Sequence, residues 1–290
     1  MALAFDSGLN GSRSREAIAW GPLLAVSAAV GLTLVLTSGA YGYHRDELYF
    51  LQAGQRLAWG YPDQPPLTPL LARAMTEIAP GSLVVLRLPS ALAAAGVVLL
   101  TGLIARELKG DRLAQMLAAA CMGVSALLLA VSHLLSTSTF DLLAWTAVSW
   151  LVVRILQGAD ERWWLLVGLV TGIGLLNKSL LVFLAVGLFV GVIAIGPRRV
   201  LRSRWLWAGA GLALMLWLPH LIWQQEHGWP QLELSRQIAA GSSGSSQPAA
   251  LFIPFQLVLI SPVLVPVWVA GLIRLARPPR LARVRAFALA

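Results

Sequence analysis

Long apolar stretches separated by short polar segments set the organisation of this chain of 290 residues. A helix needs about 20 predominantly apolar residues to cross the hydrocarbon core of a bilayer. The pattern predicts seven or eight membrane spans, with 163–176 and 179–196 counted as one broken span or as two: 17–39, 86–105, 113–132, 140–157, 163–176, 179–196, 205–222 and 251–273. The chain is therefore predicted to be an all-α polytopic membrane protein.

The composition agrees with this prediction. Hydrophobic residues make up 58% of the chain, charged residues 12%, and the mean hydropathy is +0.74. Soluble domains are about a quarter charged, so the composition excludes an ordinary soluble globular protein. The single cysteine, Cys121, lies within an apolar run and excludes an intramolecular disulfide.

The basic residues are distributed unevenly between the two sets of loops. If the N-terminus is cytoplasmic, 16 of the 22 Lys and Arg residues fall on the cytoplasmic side. The opposite side keeps six, namely Arg45, Arg56, Arg73, Arg87, Lys178 and Arg236. Cytoplasmic loops of membrane proteins carry such an excess, which accounts for the net charge of +9 without nucleic-acid binding. The same bias predicts a multi-pass protein of the cell membrane with an extracytoplasmic first loop.

The chain divides into three predicted regions. Residues 1–16 are polar and predicted to be a disordered cytoplasmic lead, residues 17–275 form the transmembrane domain, and residues 276–290 form a basic cytoplasmic tail. The first apolar stretch is about 20 residues long, rather than the 7–15 of a signal-peptide core, so it is predicted to be a retained helix.

The first extracytoplasmic loop, residues 40–85, contains two amphipathic segments. Residues 46–59 place apolar and polar side chains on opposite sides of a helix too short to span. Pro65 and Pro66 interrupt the helical pattern because proline lacks a backbone donor. A second helix follows, with apolar residues at helical spacing: Leu67, Leu70, Leu71, Ala74 and Ile78. We expect both helices to lie in the membrane interface as a lid over the spans.

Ionisable residues within this pattern fall near the outer ends of the spans. Asp46 and Glu47 form an acid pair in the first outer loop, and other such groups are Arg87, His133, Asp141 and Lys178. No ionisable residue lies clearly at mid-span, where an ion-coupled transporter is expected to bury its functional groups. The pattern favours acid–base chemistry at the outer membrane surface.

Several segments resemble a known family of membrane enzymes. They are RDELYFLQAGQRLAWGY and DQPPLTPLLAR in the first loop, LRLPSALA, STSTFDLL, GLLNKSLLVF and LWLPHLIWQQEHGWPQLEL. Together they resemble bacterial multi-spanning glycosyltransferases of the GT-C fold, in particular protein-O-mannosyltransferase-like and aminoarabinose-transferase-like proteins. The resemblance covers about residues 20–275. It implies a GT-C-like bundle of about seven to eight transmembrane helices with interfacial helices in the first extracytoplasmic loop.

The resemblance implies transfer of a sugar from a polyprenyl-phosphate donor to a hydroxyl of a glycan, lipid or protein outside the cytoplasm. Asp46 matches the family's acidic position and is predicted to be the general base of an inverting reaction. Glu47 is expected to orient a neighbour or to act directly, and Asp141 to be a second active-site carboxylate or an anion at a helix terminus. The predicted ligands of the donor phosphate are Lys178, Arg87 and Arg236.

Three further residues are predicted to contact the sugar or the acceptor: His44, Trp59 and Gln64. Three of the candidate site residues have a structural alternative. Asp46 is a possible helix cap, Lys178 a residue that extends to the membrane surface, and Trp59 an interfacial anchor. We predict no cofactor, although a divalent metal held by His44, His133 and Asp141 together with Asp46 is an alternative.

Two other functions remain open from the sequence. A lipid-linked sugar flippase or permease would move the same substrate without changing its covalent structure. A non-catalytic partner of a larger glycosyltransferase is the other alternative, because family members usually continue into further spans or an extracytoplasmic domain, and this chain looks like a shortened version.

Overall fold

The computed structural model describes residues 16–241, 249–259, 262–276, 283–285 and 287. Within these ranges the chain forms helices and turns and no strand, which confirms the all-α prediction. The α-helices in chain order are α1 (Trp20–Thr37), α2 (Arg45–Gly54), α3 (Leu67–Ile78), α4 (Leu83–Glu107), α5 (Arg112–Gly123), α6 (Ala126–Ser132), α7 (Thr137–Leu156), α8 (Trp163–Leu175), α9 (Leu181–Ala194), α10 (Arg204–Glu226), α11 (Pro230–Ala239), α12 (Phe252–Leu259) and α13 (Val265–Ala276).

Four of the described helices are long and apolar enough to cross a membrane: α1, α4, α7 and α10. Helices α5 and α6 meet at a bend of 53° and together are long enough for a fifth span. Helices α8 and α9, and the segment Pro262–Arg274, are apolar but shorter. The chain is thus a multi-pass membrane protein, and the count of seven or eight spans stays a prediction. The predicted break at Lys178 is present, since α8 ends at Leu175 and α9 begins at Leu181.

The connecting segments lie at two opposite ends of the bundle. At one end, the loop after α1 contacts the start of α4, the turn before α7 contacts α2, and the turn after α8 contacts the start of α3. We call this the acid-pair end, because Asp46 and Glu47 lie there. At the other end, the residues before α1 contact α5, the end of α4 contacts the end of α7, and Ser203 contacts Glu161. We call it the basic end.

The bundle is held together by apolar packing around α4 and between α8 and α10. Helix α4 buries Ala94, Val97 and Val98 against α1, α5 and α7. Helices α8 and α10 approach so closely that a Cβ on Gly168 would overlap the carbonyl oxygen of Gly209. Glycine at these two positions therefore permits backbone contact between the helices.

The two amphipathic helices of the first loop are present. Helix α2 begins one residue before the predicted start and ends at Gly54, so Leu57 and Ala58 lie beyond it, contrary to the expected length. Helix α3 packs against the protein through Thr68, Pro69 and Ala72. Its predicted apolar face leaves Leu70 and Ile78 exposed on the protein surface, as expected for side chains in contact with lipid.

The predicted terminal regions are described only in small part. Residues 1–15 of the predicted lead lie outside the described residues, as does most of the predicted tail. In the tail, Val284 is buried in the apolar cluster that includes Leu156 and Trp164, and Phe287 packs against that cluster. The domain boundaries predicted from the sequence stay predictions.

Candidate active site

The acid pair in α2 consists of two residues in opposite environments. The Glu47 side chain is fully buried and forms a two-point ion pair with Arg87, with Nε–Oε1 and Nη2–Oε2 distances of 2.8 and 2.7 Å. It also accepts hydrogen bonds from the backbone N–H groups of His44 and Leu135, at 2.9 and 3.0 Å. Glu47 thus joins α2 to α4 and to the turn before α7.

The environment of Glu47 keeps this carboxylate ionised. Burial raises the pKa of Glu47, but hydrogen bonds from Arg87, His44 and Leu135 and the charge of Arg87 outweigh that effect, so its net pKa lies below the ordinary value. A buried charge is stable only when it is paired and hydrogen-bonded in this way. Glu47 therefore fits the expected orienting role, and its geometry gives it no access to a substrate.

Arg87 does not fit the predicted role of phosphate ligand. Its side chain is 2% exposed, and besides Glu47 its guanidinium donates to the carbonyl oxygens of Ser38, Tyr41 and Gly42. The Tyr41 ring also lies over it, 4.1 Å from the guanidinium carbon. Because its donors point to protein oxygens, Arg87 is a positioning residue that holds the loop after α1 against α2.

Asp46 lies in the first turn of α2 beside this buried pair, with its side chain 51% exposed. The His44 ring accepts a hydrogen bond from the Asp46 N–H at 3.3 Å, so His44 caps the helix. The carboxylate lies 3.3 Å from the charged Arg45 Nε and 3.7 Å from His44 Nδ1. Because the backbone around Asp46 is fixed while its carboxylate is accessible, the residue suits a general base.

Asp46 lines a cavity of about 330 Å³ at the acid-pair end. The walls come from five separate parts of the chain: α2, the loop before α3, the start of α7, the turn between α8 and α9, and the start of α11. The lining residues are Asp46, Tyr49, Phe50, Asp63, Gln64, Pro65, Thr137, Asn177, Lys178 and Gln231. The cavity thus brings together three predicted site residues, Asp46, Gln64 and Lys178.

Lys178 contributes a cationic group to the cavity, in the turn between α8 and α9. Its Nζ lies 3.4 Å from Ser138 Oγ, in the first turn of α7. Asn177 fixes this turn, because it accepts from Thr68 and donates to the Thr137 carbonyl, both at 2.8 Å. Asp141 lies near enough to Lys178 for their charges to interact, but it does not line the cavity.

A hydrogen-bonded pair, Tyr49 and Asp63, forms another wall. The Tyr49 hydroxyl donates to Asp63 Oδ1 at 2.5 Å. Burial, and then the nearby Asp63, raises the pKa of Tyr49 above its ordinary value, so the hydroxyl keeps its proton. Gln231 reaches this wall from α11, with its Nε2 3.3 Å from the Asp63 carbonyl oxygen and its Oε1 accepting from Ser179 at 3.0 Å.

The model of a family described as dolichyl-phosphate-mannose-protein mannosyltransferase matches residues 63–223. This match covers more than half of the chain. The chain belongs to this family. It is a GT-C-type membrane glycosyltransferase, and the predicted family resemblance is confirmed. No curated protein and no solved structure matches the chain.

The matched range begins at Asp63, and three cavity residues in the glycosyltransferase, Asp63, Gln64 and Lys178, lie within it. Asp46 lies outside the range, so its place in the site rests on the geometry of the cavity.

Besides Glu47, Arg87 and Asp141, three further predicted site residues do not line the cavity of the glycosyltransferase. Arg236 is on α11 with its side chain 70% exposed and 3.9 Å from Glu233. The Trp59 side chain is exposed, and its carbonyl oxygen lies 3.0 Å from His220 Nδ1. His44 caps α2 and does not line the cavity. The geometry therefore does not support direct donor or acceptor contacts for these three residues.

The alternative of a metal held by His44, His133, Asp141 and Asp46 gains no support from the geometry. Among residues 16–241 and the later described segments, no group of three or more His, Cys, Asp or Glu side chains is placed to hold a metal ion. The His133 carbonyl accepts a hydrogen bond from Tyr41, and its ring packs on the Tyr41 ring.

Sequence reasoning missed Tyr49, Asp63, Asn177 and Gln231. A signal existed for Tyr49, because it lies three residues after Asp46 and so on the same side of α2. Asp63 is the third acid of the first loop and directly precedes the predicted Gln64. No local signal marks Gln231, since only the packing of α11 brings it to the cavity.

Proposed function

We propose that this glycosyltransferase moves a sugar from a polyprenyl-phosphate donor to an acceptor hydroxyl of a glycan, lipid or protein, with inversion at the anomeric carbon. One observation carries the proposal: Asp46 and Lys178, from segments more than a hundred residues apart, line the same cavity. A base and a cation are the two groups that this reaction needs. The sugar is carried on a phosphate, which leaves readily once its charge is stabilised.

The Asp46 carboxylate takes the proton of the acceptor hydroxyl as its oxygen attacks the anomeric carbon of the sugar. The bond from that carbon to the phosphate oxygen breaks, and polyprenyl phosphate leaves with the bonding electrons. Lys178 stabilises the phosphate through its ammonium group. Attack on the face opposite the leaving group inverts the configuration, so a single carboxylate base is enough.

The site is proposed to work on the extracytoplasmic face of the cell membrane. The arginines at 106, 112, 154, 162, 198, 199, 202 and 204 all lie at or near the basic end, and cytoplasmic loops carry such an excess. This orientation places the N-terminus in the cytoplasm and Asp46 outside. Cysteines introduced at Pro80 and Asp160 in a Cys121→Ser background test it, because an impermeant thiol reagent added to intact cells should label the first position only.

The reaction is tested by release of free polyprenyl phosphate from polyprenyl-phosphate sugars in liposomes, with a mixed glycan and peptide acceptor pool. General base catalysis contributes about 10²- to 10⁴-fold, so Asp46→Asn should lose at least a hundredfold in rate. Glu77→Gln is a matched control at the same end, because its side chain is 60% exposed and it does not line this cavity. Full activity of Asp46→Asn would overturn the proposed base.

The two alternative functions give different results in the same liposomes. A flippase or permease would move the donor between leaflets and release no polyprenyl phosphate. A non-catalytic partner would do neither alone, and would only increase the release of polyprenyl phosphate by a larger glycosyltransferase added to the same liposomes.

A further inference from the structure

The cavity contains a second carboxylate, Asp63, that the proposed reaction does not use. Its Oδ1 accepts the hydrogen bond from Tyr49, which fixes the direction of the carboxylate. No described residue donates a hydrogen bond to its Oδ2. Asp46 and Tyr49 lie three residues apart on α2, so the helix fixes the distance between them. Through its hydrogen bond to Asp63, Tyr49 also fixes the position of the second acid relative to Asp46.

A buried amide donor adjoins Asp63. Gln64 is 6% exposed, lines the cavity, and its Nε2 is buried without a hydrogen bond to any described residue, although it lies near the Tyr49 hydroxyl. A buried amide without a partner costs free energy, and in native structures such a group calls for an explanation. A ligand that accepts a hydrogen bond at this point would remove the cost.

A carboxylate acceptor beside an amide donor complements a pair of neighbouring sugar hydroxyls, since each hydroxyl both donates and accepts. The cavity volume of about 330 Å³ lies at the lower end of the range for ligand pockets, which favours a single sugar unit. The charged lining residues are Asp46, Asp63 and Lys178, so a sugar that carries its own carboxylate would be repelled.

We propose that Asp63 and Gln64 bind hydroxyl groups of the donor sugar and select a neutral or cationic monosaccharide over an anionic one. This inference rests on the proposed function and goes beyond it, because it assigns the sugar subsite and its charge preference. Tyr49 acts as a positioning residue that holds the Asp63 carboxylate towards the sugar.

The test measures KM and kcat for a polyprenyl-phosphate monosaccharide and for its single-deoxy analogues, with wild type and Asp63→Asn. The asparagine still accepts from Tyr49 but lacks the charge. Hydrogen bonds to charged groups account for about 10- to 100-fold in binding, so donor KM should rise by that factor while kcat changes by less than about threefold. One deoxy analogue should bind worse than the parent sugar in wild type and equally to it in Asp63→Asn.

If only one deoxy analogue loses its binding penalty in Asp63→Asn, Asp63 contacts that hydroxyl directly. A purely structural role of Asp63 would change the binding of all analogues by the same factor. Donors that carry a uronic acid should react poorly with wild type and better with Asp63→Asn. Equal deoxy penalties in both proteins, or an unchanged donor KM, would overturn the inference. Loss of activity in a chelator, with recovery on adding Mg²⁺ or Mn²⁺ in wild type and no such recovery in Asp63→Asn, would assign Asp63 to a metal ion and overturn the inference as well.

A second variant, Gln64→Met, tests the inference independently if Asp63→Asn does not fold. Gln64→Met replaces the unpartnered amide by an apolar side chain of similar size, so it should unfold at an equal or higher temperature and raise donor KM. Destabilisation with unchanged KM would contradict the inference. If wild type transfers no sugar from any donor, the proposed function fails; if it transfers normally and both variants match it in KM, only this inference fails.

Discussion

Each end of the bundle contains a buried glutamate, but the two are paired in different ways. At the acid-pair end, Glu47 and Arg87 are both buried, and three separate segments donate to the carboxylate. At the basic end, Glu107 is buried but pairs with arginines that are 13% and 25% exposed, Arg106 and Arg154. Glu107 joins helix ends, whereas Glu47 fixes a loop and a short helix in one conformation.

The cavity beside Asp46 also differs from an apolar cavity towards the basic end in the polarity of its walls. The cavity beside Asp46 is lined largely by polar and charged groups from loops and helix ends. Another cavity, of about 220 Å³ among α7 to α10 towards the basic end, has apolar walls that include Trp164, Leu188 and Val192. A third cavity, of about 280 Å³ at the basic end, also has charged groups in its lining, Glu161 and Arg199. The acid-pair end differs in that its accessible acid, Asp46, lies next to the buried pair of Glu47 and Arg87. Because a buried, paired glutamate occurs at both ends, buried charge alone does not mark the site.

The largest expected effect comes from breaking the Glu47–Arg87 pair. Glu47→Gln leaves a buried arginine charge without its partner, which costs about 3–5 kcal/mol of stability. We expect a lower unfolding temperature in detergent and loss of transfer, because the backbone that holds Asp46 is released. Glu107→Gln is the matched change at the other end. It should cost less, since its arginines reach solvent, and a folded Glu107→Gln protein should keep its rate; equal losses in both variants would refute the distinction.

The cation of the cavity should matter more than the exposed arginine on α11. Lys178→Gln removes the proposed phosphate ligand and should lower kcat/KM for the donor by about 10²- to 10³-fold, the loss typical of removing one group that stabilises the transition state. Arg236→Gln removes the same charge from an exposed position and should change kcat/KM by less than about twofold. Steady-state donor kinetics measure both, and a comparable loss in Arg236→Gln would place that residue in the site.

A change in the membrane part of the bundle should affect stability without changing the chemistry. Gly168→Ala would force α8 away from Gly209, because the new Cβ overlaps the backbone of α10. Inserting a methyl into a packed core costs about 1–3 kcal/mol. Thermal unfolding should record that loss, while kcat per folded molecule stays near the wild-type value. A large drop in kcat with unchanged stability would show that the contact between α8 and α10 affects the cavity beside Asp46.

The smallest effect is a dependence of stability on acid pH. Because the folded pKa of Glu47 lies below its unfolded value of about 4.3, its contribution is fully present above that pH and is lost as pH falls through the folded pKa. Wild type should lose up to about 1.4 kcal/mol per pH unit from this group in that window. The Glu47→Gln protein should lack this component, and an identical pH slope in both proteins would contradict the assignment.

Much of the helical architecture was predictable from the sequence. The bounds of α4, α7 and α10 follow their apolar stretches within a few residues, and the break at Lys178 and the two short helices of the first loop were predicted from polar positions and prolines. The hydrophobic pattern is a local property of the sequence, so it predicts where helices form without knowledge of what they pack against. The number of spans was less predictable, because α8, α9 and the segment after Pro262 are apolar yet short.

The site was predictable only in part. The sequence by itself determined that the chain is a helical membrane protein, that its basic residues concentrate in one set of loops, and that its first loop carries the acid pair. Tertiary structure decided which polar groups meet: Arg87 pairs with Glu47, Lys178 and Asp46 line the same cavity, and Asp63 and Gln231 join them there. The reason is physical: these contacts link segments tens to more than a hundred residues apart, and their partners depend on how the helices pack.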